Sequence, residues 1–205
     1  MVKNTAFLYF RMLFSMGITL YTSRLILTIL GIDDFGIYNV IGGMVSMFLF
    51  LNTAMSSATS RFLTFEIGKR EKSEISKVFS VSLTTHLIII AIIFVLCESI
   101  GVWFLNSKMI IPEDRVYAAN IVLQTSIAAS LINIIQVPYR AIVVSYEKMD
   151  MYAYIEIFNV VSKLLIAIAL IYTTYDKLIT YSYLYLVTCV VVFLIYAVYA
   201  NFRCV

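Results

Sequence analysis

Long runs of apolar residues, each long enough to cross a lipid bilayer, constrain the fold of this chain more than any other feature. The runs lie at residues 6–30, 36–60, 78–104, 116–139, 153–173 and 178–200. A helix that spans a bilayer needs about 20 mostly apolar residues, at a rise of about 1.5 Å per residue. Of the 205 residues, 62% are hydrophobic and only 13% are charged, which is too apolar for a water-soluble domain. The sequence therefore predicts an all-α integral membrane protein with about six transmembrane helices.

The breaks between the runs predict how the helices are connected. They lie at residues 31–36, 61–77, 106–115, 145–150 and 174–177. All except 61–77 are short, so successive helices must run antiparallel. Segment 61–77 mixes apolar residues with both signs of charge, which fits either a short interfacial helix or a solvated loop. The first run is too long for a cleavable signal peptide and carries Arg11 and Arg24, so we expect it to remain as the first span.

The positions of lysine and arginine in the breaks and tails predict the orientation of the helices. Nine lie on the side of the N-terminus, namely Lys3, Arg61, Lys69, Arg70, Lys72, Lys77, Arg140, Lys148 and Arg203. Three lie on the opposite side, namely Lys108, Arg115 and Lys177. Cytoplasmic loops of membrane proteins carry the excess of basic residues. The chain is therefore predicted to have both termini in the cytoplasm.

Three basic residues, Arg11, Arg24 and Lys163, fall inside the predicted spans. A charge at the centre of a helix in the membrane costs about 2.5 to 3.5 kcal/mol on insertion scales, so such residues usually face a protein interior or a wet cavity. Arg11 belongs to a polar stripe that helical periodicity directs to one side, together with Ser15, Thr19 and Thr22. Arg24 lies off that stripe, and it either faces the cavity or extends to the headgroups of the bilayer.

Spans two and four also carry polar faces. The face of span two consists of small or polar residues, which favours close helix packing: Asn39, Gly42, Ser46, Thr53, Ser57 and Ser60. The face of span four contains Ser126, Ala129, Asn133, Gln136 and Arg140. Because lipid cannot satisfy the amides of Asn133 and Gln136, we expect this face to line a cavity or to meet a partner helix. Pro138 is expected to break this helix near its inner end.

Span five carries the most compact group of polar residues, with Glu156, Asn159 and Lys163 on one helical face. Two interpretations remain open: an ionisable ligand site, or an internal salt bridge that neutralises two costly charges. In span three, Glu98 and His86 are weaker candidates, because one can reach the bilayer surface and the other is expected to be simply hydrogen bonded.

The sequence contains no pattern typical of an enzyme. It lacks a nucleophile with a matching histidine and acid, a glycine-rich phosphate loop and any metal-ligand spacing. Nor is there a basic patch for nucleic acid, and Cys97, Cys189 and Cys204 are expected to be structural thiols without a cofactor. Membrane-embedded cations without catalytic groups favour the binding and passage of an anion.

The chain resembles the polysaccharide biosynthesis and O-antigen (lipid-linked oligosaccharide) flippases of the multidrug/oligosaccharidyl-lipid/polysaccharide exporter superfamily. The resemblance extends from about residue 5 to residue 202. Its most specific segment is Leu30–Gly43. The other segments that carry it are Tyr21–Arg24, Asn52–Met55, Ser60–Leu63, Trp103–Asn106, Val137–Tyr139 and Glu147–Met149. Arg140 departs from the family, in which an amide often follows the Val-Pro-Tyr segment.

The resemblance implies a MATE-like transporter of two bundles, of which this chain supplies the N-terminal one. A missing C-terminal bundle or a second copy would supply the other. It also implies export of undecaprenyl-pyrophosphate-linked oligosaccharide, such as an O-antigen or lipopolysaccharide repeat unit, across the bacterial cytoplasmic (inner) membrane by alternating access. The candidates for its substrate-binding cavity are Arg11, Arg24, Asn133, Gln136, Glu156, Asn159 and Lys163.

Two alternatives to the flippase hypothesis remain. One is a multidrug-type cation antiporter of the same fold, which would be expected to rely on acidic residues in the membrane. The basic residues inside these spans outnumber the deeply placed acids. The other is a truncated membrane subunit that packs against a partner without transporting anything.

Overall fold

The computed structural model describes residues 2–47, 50–69 and 72–203, and these residues are almost entirely helical, with no strand among them. The α-helices among the described residues are α1 (Val2–Met47), α2 (Phe50–Lys69), α3 (Lys72–Leu96), the six-residue α4 (Val102–Ser107), α5 (Val116–Ser145), α6 (Met149–Ala169) and α7 (Lys177–Arg203). A π-helical turn, Cys97–Gly101, joins α3 to α4, and short 3₁₀ turns occupy Glu113–Arg115 and Leu170–Tyr172. Of the residues named above, Arg70 and Cys204 lie outside the described ranges, as do the side chains of Lys3, Asn52, Thr53, Lys72 and Arg203.

Five helical segments are long and apolar enough to cross a membrane by their length and composition. They are Arg11–Met47, Glu74–Ser107, Glu113–Ser145, Met149–Tyr172 and Lys177–Phe202. The last four coincide with predicted spans three to six. The prediction of an all-α integral membrane protein is therefore confirmed.

A glycine divides α1 into two arms. Gly31 has φ 83° and ψ 174°, a backbone conformation that a helix cannot contain and that side chains other than glycine rarely adopt. The arm before it packs Ile26 against α6, while the arm after it packs Ile41 into the core formed with α5. The predicted break at 31–36 is thus present but shorter, because one glycine suffices to interrupt the helix.

For segment 61–77, the interpretation as a solvated loop is wrong for the residues that the structure describes, because these residues are helical. Helix α2 continues to Lys69 and α3 already begins at Lys72, so most of the charged segment belongs to the ends of two long helices. Ion pairs one helical turn apart support this conformation, with Lys69 3.2 Å from Glu66 and Lys77 2.6 Å from Glu74.

Helix α5 is the central helix, in contact with α1, α2, α3, α6 and α7. The predicted break at Pro138 is wrong, because α5 continues through it to Ser145. A proline inside a helix removes one hydrogen bond at a cost of about 3 kcal/mol. Here the residues after the proline are held by packing, since Ala141 and Ile142 are buried against Leu63 of α2 and Tyr196 of α7.

Segments predicted to share a side of the membrane meet at the same end of the bundle. At one end, which we call the acidic end, Arg115 pairs with both Asp34 and Asp176. At the other, the basic end, the Ser145 hydroxyl donates a hydrogen bond of 3.2 Å to the carbonyl of Ser60. This grouping agrees with the predicted connections, whereas the assignment of the basic end to the cytoplasm stays a prediction.

Candidate functional site

A cationic cluster, formed by Arg11, Arg140, Tyr152, Glu156 and Tyr196, lies towards the basic end of the bundle. Four helices contribute to it: α1, α5, α6 and α7. The guanidinium carbon of Arg11 lies 4.7 Å from the centre of the Tyr152 ring, and that of Arg140 lies 5.8 Å from the same centre. Such cation–π contacts hold arginine in place while leaving its N–H donors available.

Two polar atoms of this cluster are buried without a hydrogen-bond partner in the described part of the chain. They are Nε of Arg11 and the hydroxyl oxygen of Tyr196. The Tyr196 side chain is completely buried, and it lies within electrostatic range of Glu156, Tyr152, Arg140 and Arg11. Buried polar groups are normally paired, because each unpaired one costs about 1 to 3 kcal/mol. An anionic group bound here could pair with the arginine donors.

Glu156 is the acid of the cationic cluster, yet it forms no direct ion pair there. Within residues 2–47, 50–69 and 72–203, no contact of 4.0 Å or less joins its carboxylate to Arg11, Arg140 or Lys163. A direct Glu156–Lys163 salt bridge, one of the two interpretations of span five, is therefore absent from the described residues. The two side chains belong to different surroundings, about 10 Å apart along α6 at 1.5 Å per residue.

A second feature, the polar cavity, lies between the second arm of α1, α5 and α7 and has a volume of about 360 Å³. It is lined by Tyr38, Asn39, Gly42, Gly43, Val45, Ser46, Ser126, Ala129, Ser130, Asn133 and Tyr185. The lining thus includes three members of the predicted polar face of span four. None of these lining residues is acidic or basic.

The cavity also changes the interpretation of the small-residue face on span two. Among the described residues, a Cβ atom added to Gly42 or Gly43 would meet no atom within 4 Å beyond its own stretch of helix. The expectation of close helix packing is therefore wrong for this part of the face, because it borders the cavity instead. Packing does occur at Ser60, whose carbonyl accepts the hydrogen bond from Ser145.

Lys163 stands beside the cavity in an aromatic group. Its Nζ atom lies 5.1 Å from the centre of the Tyr185 ring. Tyr181 stacks on Tyr185 with centroids 6.4 Å apart and meets the edge of Tyr38 at 4.9 Å. The amide nitrogen of Asn133 lies 4.0 Å from the sulfur of Cys189 on the same side of the bundle. The structure thus brings together Lys163 and Asn133, two predicted site residues.

The remaining predicted site residues fall outside both features. Gln136 is buried, and its side-chain oxygen has no partner in the described part of the chain, while Asn159 is half-buried. Arg24 is exposed and lies about 20 Å from Arg11 along the helix at 1.5 Å per residue. Thr19 of the predicted stripe is also exposed, and Ile18 occupies the more buried position in its place.

His86 and Glu98 have local partners. The Nδ1 atom of the fully buried His86 lies 2.7 Å from the carbonyl of Ser82, while its Nε2 atom has no partner among the described residues. Glu98 lies in the π-helical turn and accepts a hydrogen bond of 3.1 Å from Gln124. Cys97 and Cys189 are buried free thiols, as expected. No group of three or more potential metal ligands occurs in the part of the chain that the structure describes.

Sequence reasoning missed the Arg115 triad, formed by Arg115, Asp34 and Asp176. All three residues lay in breaks that were predicted to share one side of the membrane. Their opposite charges on the same side could have indicated an ion pair. Asp34 is only 4% exposed, and both carboxylates contact the guanidinium. Burial alone would raise the pKa of Asp176, but the backbone N–H of Ile179 and the charge of Arg115 hold it below its usual value.

Comparisons with known proteins identify the fold. The chain is similar to a solved structure described as the outward-facing conformation of a multidrug resistance MATE family transporter of the MOP superfamily. The TM-score is 0.78 and the sequence identity is 18%, and the match covers 98% of this chain. It covers 45% of the length of that transporter. No protein-family model and no curated protein matches the sequence. The predicted MATE-like fold is therefore confirmed.

Proposed function

We propose that this chain forms one bundle of a transporter that carries undecaprenyl-pyrophosphate-linked oligosaccharide from the cytoplasmic to the periplasmic leaflet of the bacterial inner membrane. A second bundle, supplied by further sequence or by a second copy, would complete the cavity. The fold supports a transporter, since the similar structure is a MATE family transporter and this chain matches 45% of its length. Alternating access then requires one bundle to rock against the other.

The cationic cluster is the observation that carries the proposal. A pyrophosphate group offers several anionic oxygens, and arginine binds such groups through paired N–H donors. Arg11 and Arg140 approach the same Tyr152 ring, so their guanidinium groups cannot be farther apart than the sum of 4.7 and 5.8 Å. No direct ion pair within the described residues occupies either group. The predicted topology puts the cluster on the cytoplasmic side, where a substrate made in the cytoplasm would enter.

Binding of pyrophosphate to the purified chain tests this proposal. We expect undecaprenyl pyrophosphate, added to the chain in detergent micelles, to bind the wild-type protein and to lose about tenfold or more in affinity with Arg11→Ala or Arg140→Ala. Loss of a charge-assisted hydrogen bond costs about 1.5 to 3 kcal/mol, which corresponds to such a factor. Arg11→Lys should retain part of the affinity, because it keeps the charge and loses the paired donors.

Arg24→Ala is the matched control, because it removes an arginine from the same helix without touching the cluster. Undecaprenyl phosphate and undecaprenol serve as ligands of the same chain length with less or no charge, and they should bind progressively more weakly. Equal affinity of Arg11→Ala, Arg24→Ala and wild type for undecaprenyl pyrophosphate would overturn the proposal.

A multidrug-type cation antiporter is the second candidate, and the description of the similar structure favours it. The tyrosines beside the polar cavity could also contact an organic cation. Lys163 argues against this function, because its charge lies 5.1 Å from the Tyr185 ring and would repel a bound cation. Binding of tetraphenylphosphonium, an organic cation, tests this alternative. Binding to the wild-type chain that becomes tighter with Lys163→Gln would support the antiporter over the flippase.

A further inference from the structure

We propose that the polar cavity is a separate subsite for a neutral, polyhydroxylated ligand group, that is, a saccharide residue. This inference rests on the proposed function, because it assigns the sugar part of the same substrate to a second site. It concerns residues of the second arm of α1, of α5 and of α7, and not the arginines that would hold the pyrophosphate.

The hydrogen bonds within the cavity wall decide which ligand groups it can accept. The amide nitrogen of Asn39 donates to the carbonyl of Phe35 at 2.7 Å, and that of Asn133 donates to the carbonyl of Ala129 at 2.9 Å. Because a carbonyl can only accept, these bonds fix which end of each amide faces its own helix. Each side-chain oxygen therefore remains available as an acceptor.

The serine hydroxyls of the wall follow the same pattern. The Ser46 hydroxyl donates to the carbonyl of Gly43 at 2.7 Å, and the Ser130 hydroxyl donates to the carbonyl of Ile127 at 2.8 Å. Each hydroxyl has a single hydrogen, so what it still offers is its oxygen lone pairs. The wall thus presents several neutral acceptors, beside the second hydrogen that each amide nitrogen retains. A ligand rich in hydroxyl donors is its chemical complement.

The absence of charged residues from the described lining of the cavity argues against cationic and anionic ligands. A cationic ligand would lack an acidic partner, since no lining residue is Asp or Glu, and Lys163 stands beside Tyr185. An anionic ligand would lack a cationic partner in the wall, since no described lining residue is Lys or Arg. Neutral hydroxyl groups fit both conditions.

The tyrosines supply the second element of saccharide recognition, a flat apolar wall. Tyr38 and Tyr185 line the cavity, and Tyr181 contacts both of them, which restricts their movement. Aromatic rings offer a large contact area to the C–H face of a sugar ring at little cost in conformational entropy. A volume of about 360 Å³ lies within the range of small-molecule sites.

The positions of the two sites agree with one substrate that reaches both. Asn133 and Arg140 lie on the same face of α5, about 10 Å apart along the helix at 1.5 Å per residue. A pyrophosphate at the cationic cluster would therefore have its first sugars close to the cavity.

Saturation-transfer NMR with N,N′-diacetylchitobiose, a neutral disaccharide called chitobiose below, tests this subsite on the purified full chain in detergent micelles. We expect chitobiose to bind the wild-type chain and to lose about fivefold in affinity with Asn133→Leu, which removes one acceptor of about 1 kcal/mol. Asn106→Leu is the matched control, since Asn106 also donates to its own helix, at Val102, but lies outside the cavity. Ser46→Ala is a milder variant at an exposed position, and it should weaken binding without disturbing the core.

The outcomes separate this inference from the proposed function. Absence of chitobiose binding, or equal binding by Asn133→Leu, Ser46→Ala and Asn106→Leu, overturns the subsite. If undecaprenyl pyrophosphate binding still depends on Arg11 in that case, the proposed function stands. The converse result is also informative. If chitobiose binding depends on Asn133 but the affinity for undecaprenyl pyrophosphate is unchanged by Arg11→Ala and Arg140→Ala, the subsite is supported and the anion site is rejected.

Discussion

The two ends of the bundle use arginine in opposite ways. At the acidic end, Arg115 contacts two carboxylates, so its charge is fully compensated. At the basic end, Arg11 and Arg140 contact a tyrosine ring, and no direct ion pair among the described residues compensates them. The Arg115 triad therefore connects α1 to the segments before α5 and α7, whereas the cationic cluster has the composition of an anion-binding site.

Removal of Arg115 should have the largest effect on stability. Arg115→Ala leaves Asp34, which is 4% exposed, without its cation. Breaking a buried ion pair from one side costs about 3 to 5 kcal/mol. We expect a loss near the lower figure in the free energy of unfolding, measured by denaturant titration in detergent, while Arg24→Ala unfolds like wild type. If Arg115→Ala were as stable as wild type, Arg115 would not be a structural residue, and the proposed difference between the acidic and basic ends would be wrong.

Asp176→Asn should have a smaller effect, because its carboxylate is 30% exposed and the pair of Asp34 and Arg115 remains. We expect a loss of about 1 kcal/mol near neutral pH. The folded-state pKa of Asp176 lies below the ordinary value of 3.8, so its contribution is present above that value. It should disappear as the pH falls through the folded pKa. A difference between wild type and Asp176→Asn that grows on acidification would contradict this assignment.

Removal of an arginine from the cationic cluster should hardly change stability. Arg11→Ala loses a cation–π contact of about 0.5 to 1 kcal/mol and also removes a buried, unpaired donor. The expected change in the free energy of unfolding is therefore below about 1 kcal/mol, in contrast to the loss of pyrophosphate affinity described above. The same denaturant titration measures it, and a loss as large as that of Arg115→Ala would make Arg11 a structural residue.

Glu156→Gln should have the smallest effect of these substitutions, and it should raise the affinity for pyrophosphate, whereas the arginine substitutions lower it. It removes the only acid of the cationic cluster, so pyrophosphate should bind about threefold more tightly, as for a screened charge interaction of under 1 kcal/mol. Glu98→Gln is a matched control at an acid outside the cluster. Weaker binding by Glu156→Gln would instead indicate that Glu156 helps to orient the arginines.

The sequence allowed the helices and several polar faces to be predicted, because hydrophobic run length and helical period are local properties. The grouping of Ser126 and Asn133 on one face of α5 followed from that period alone. The Arg115 triad could not be predicted in the same way, since it joins segments that are far apart in the chain. The contact of Arg140 with Tyr152 joins consecutive helices, but it depends on how α5 and α6 pack, which the period does not give. Pro138 misled the prediction because the packing of α5 outweighs the local preference of proline.

The π-helical turn Cys97–Gly101 has a consequence for insertions and deletions. Such a turn closes i→i+5 hydrogen bonds and contains one residue more than the α-helical turn that it replaces. The extra residue lies where Gly101 approaches Met44 and Leu123, with an added Cβ only 3.2 and 3.5 Å from their side-chain carbons. Loss of one residue from this turn would restore a regular α-helix and preserve the alignment of α3 and α4 with their neighbours. This position is therefore where the bundle can tolerate a change in chain length inside a membrane span.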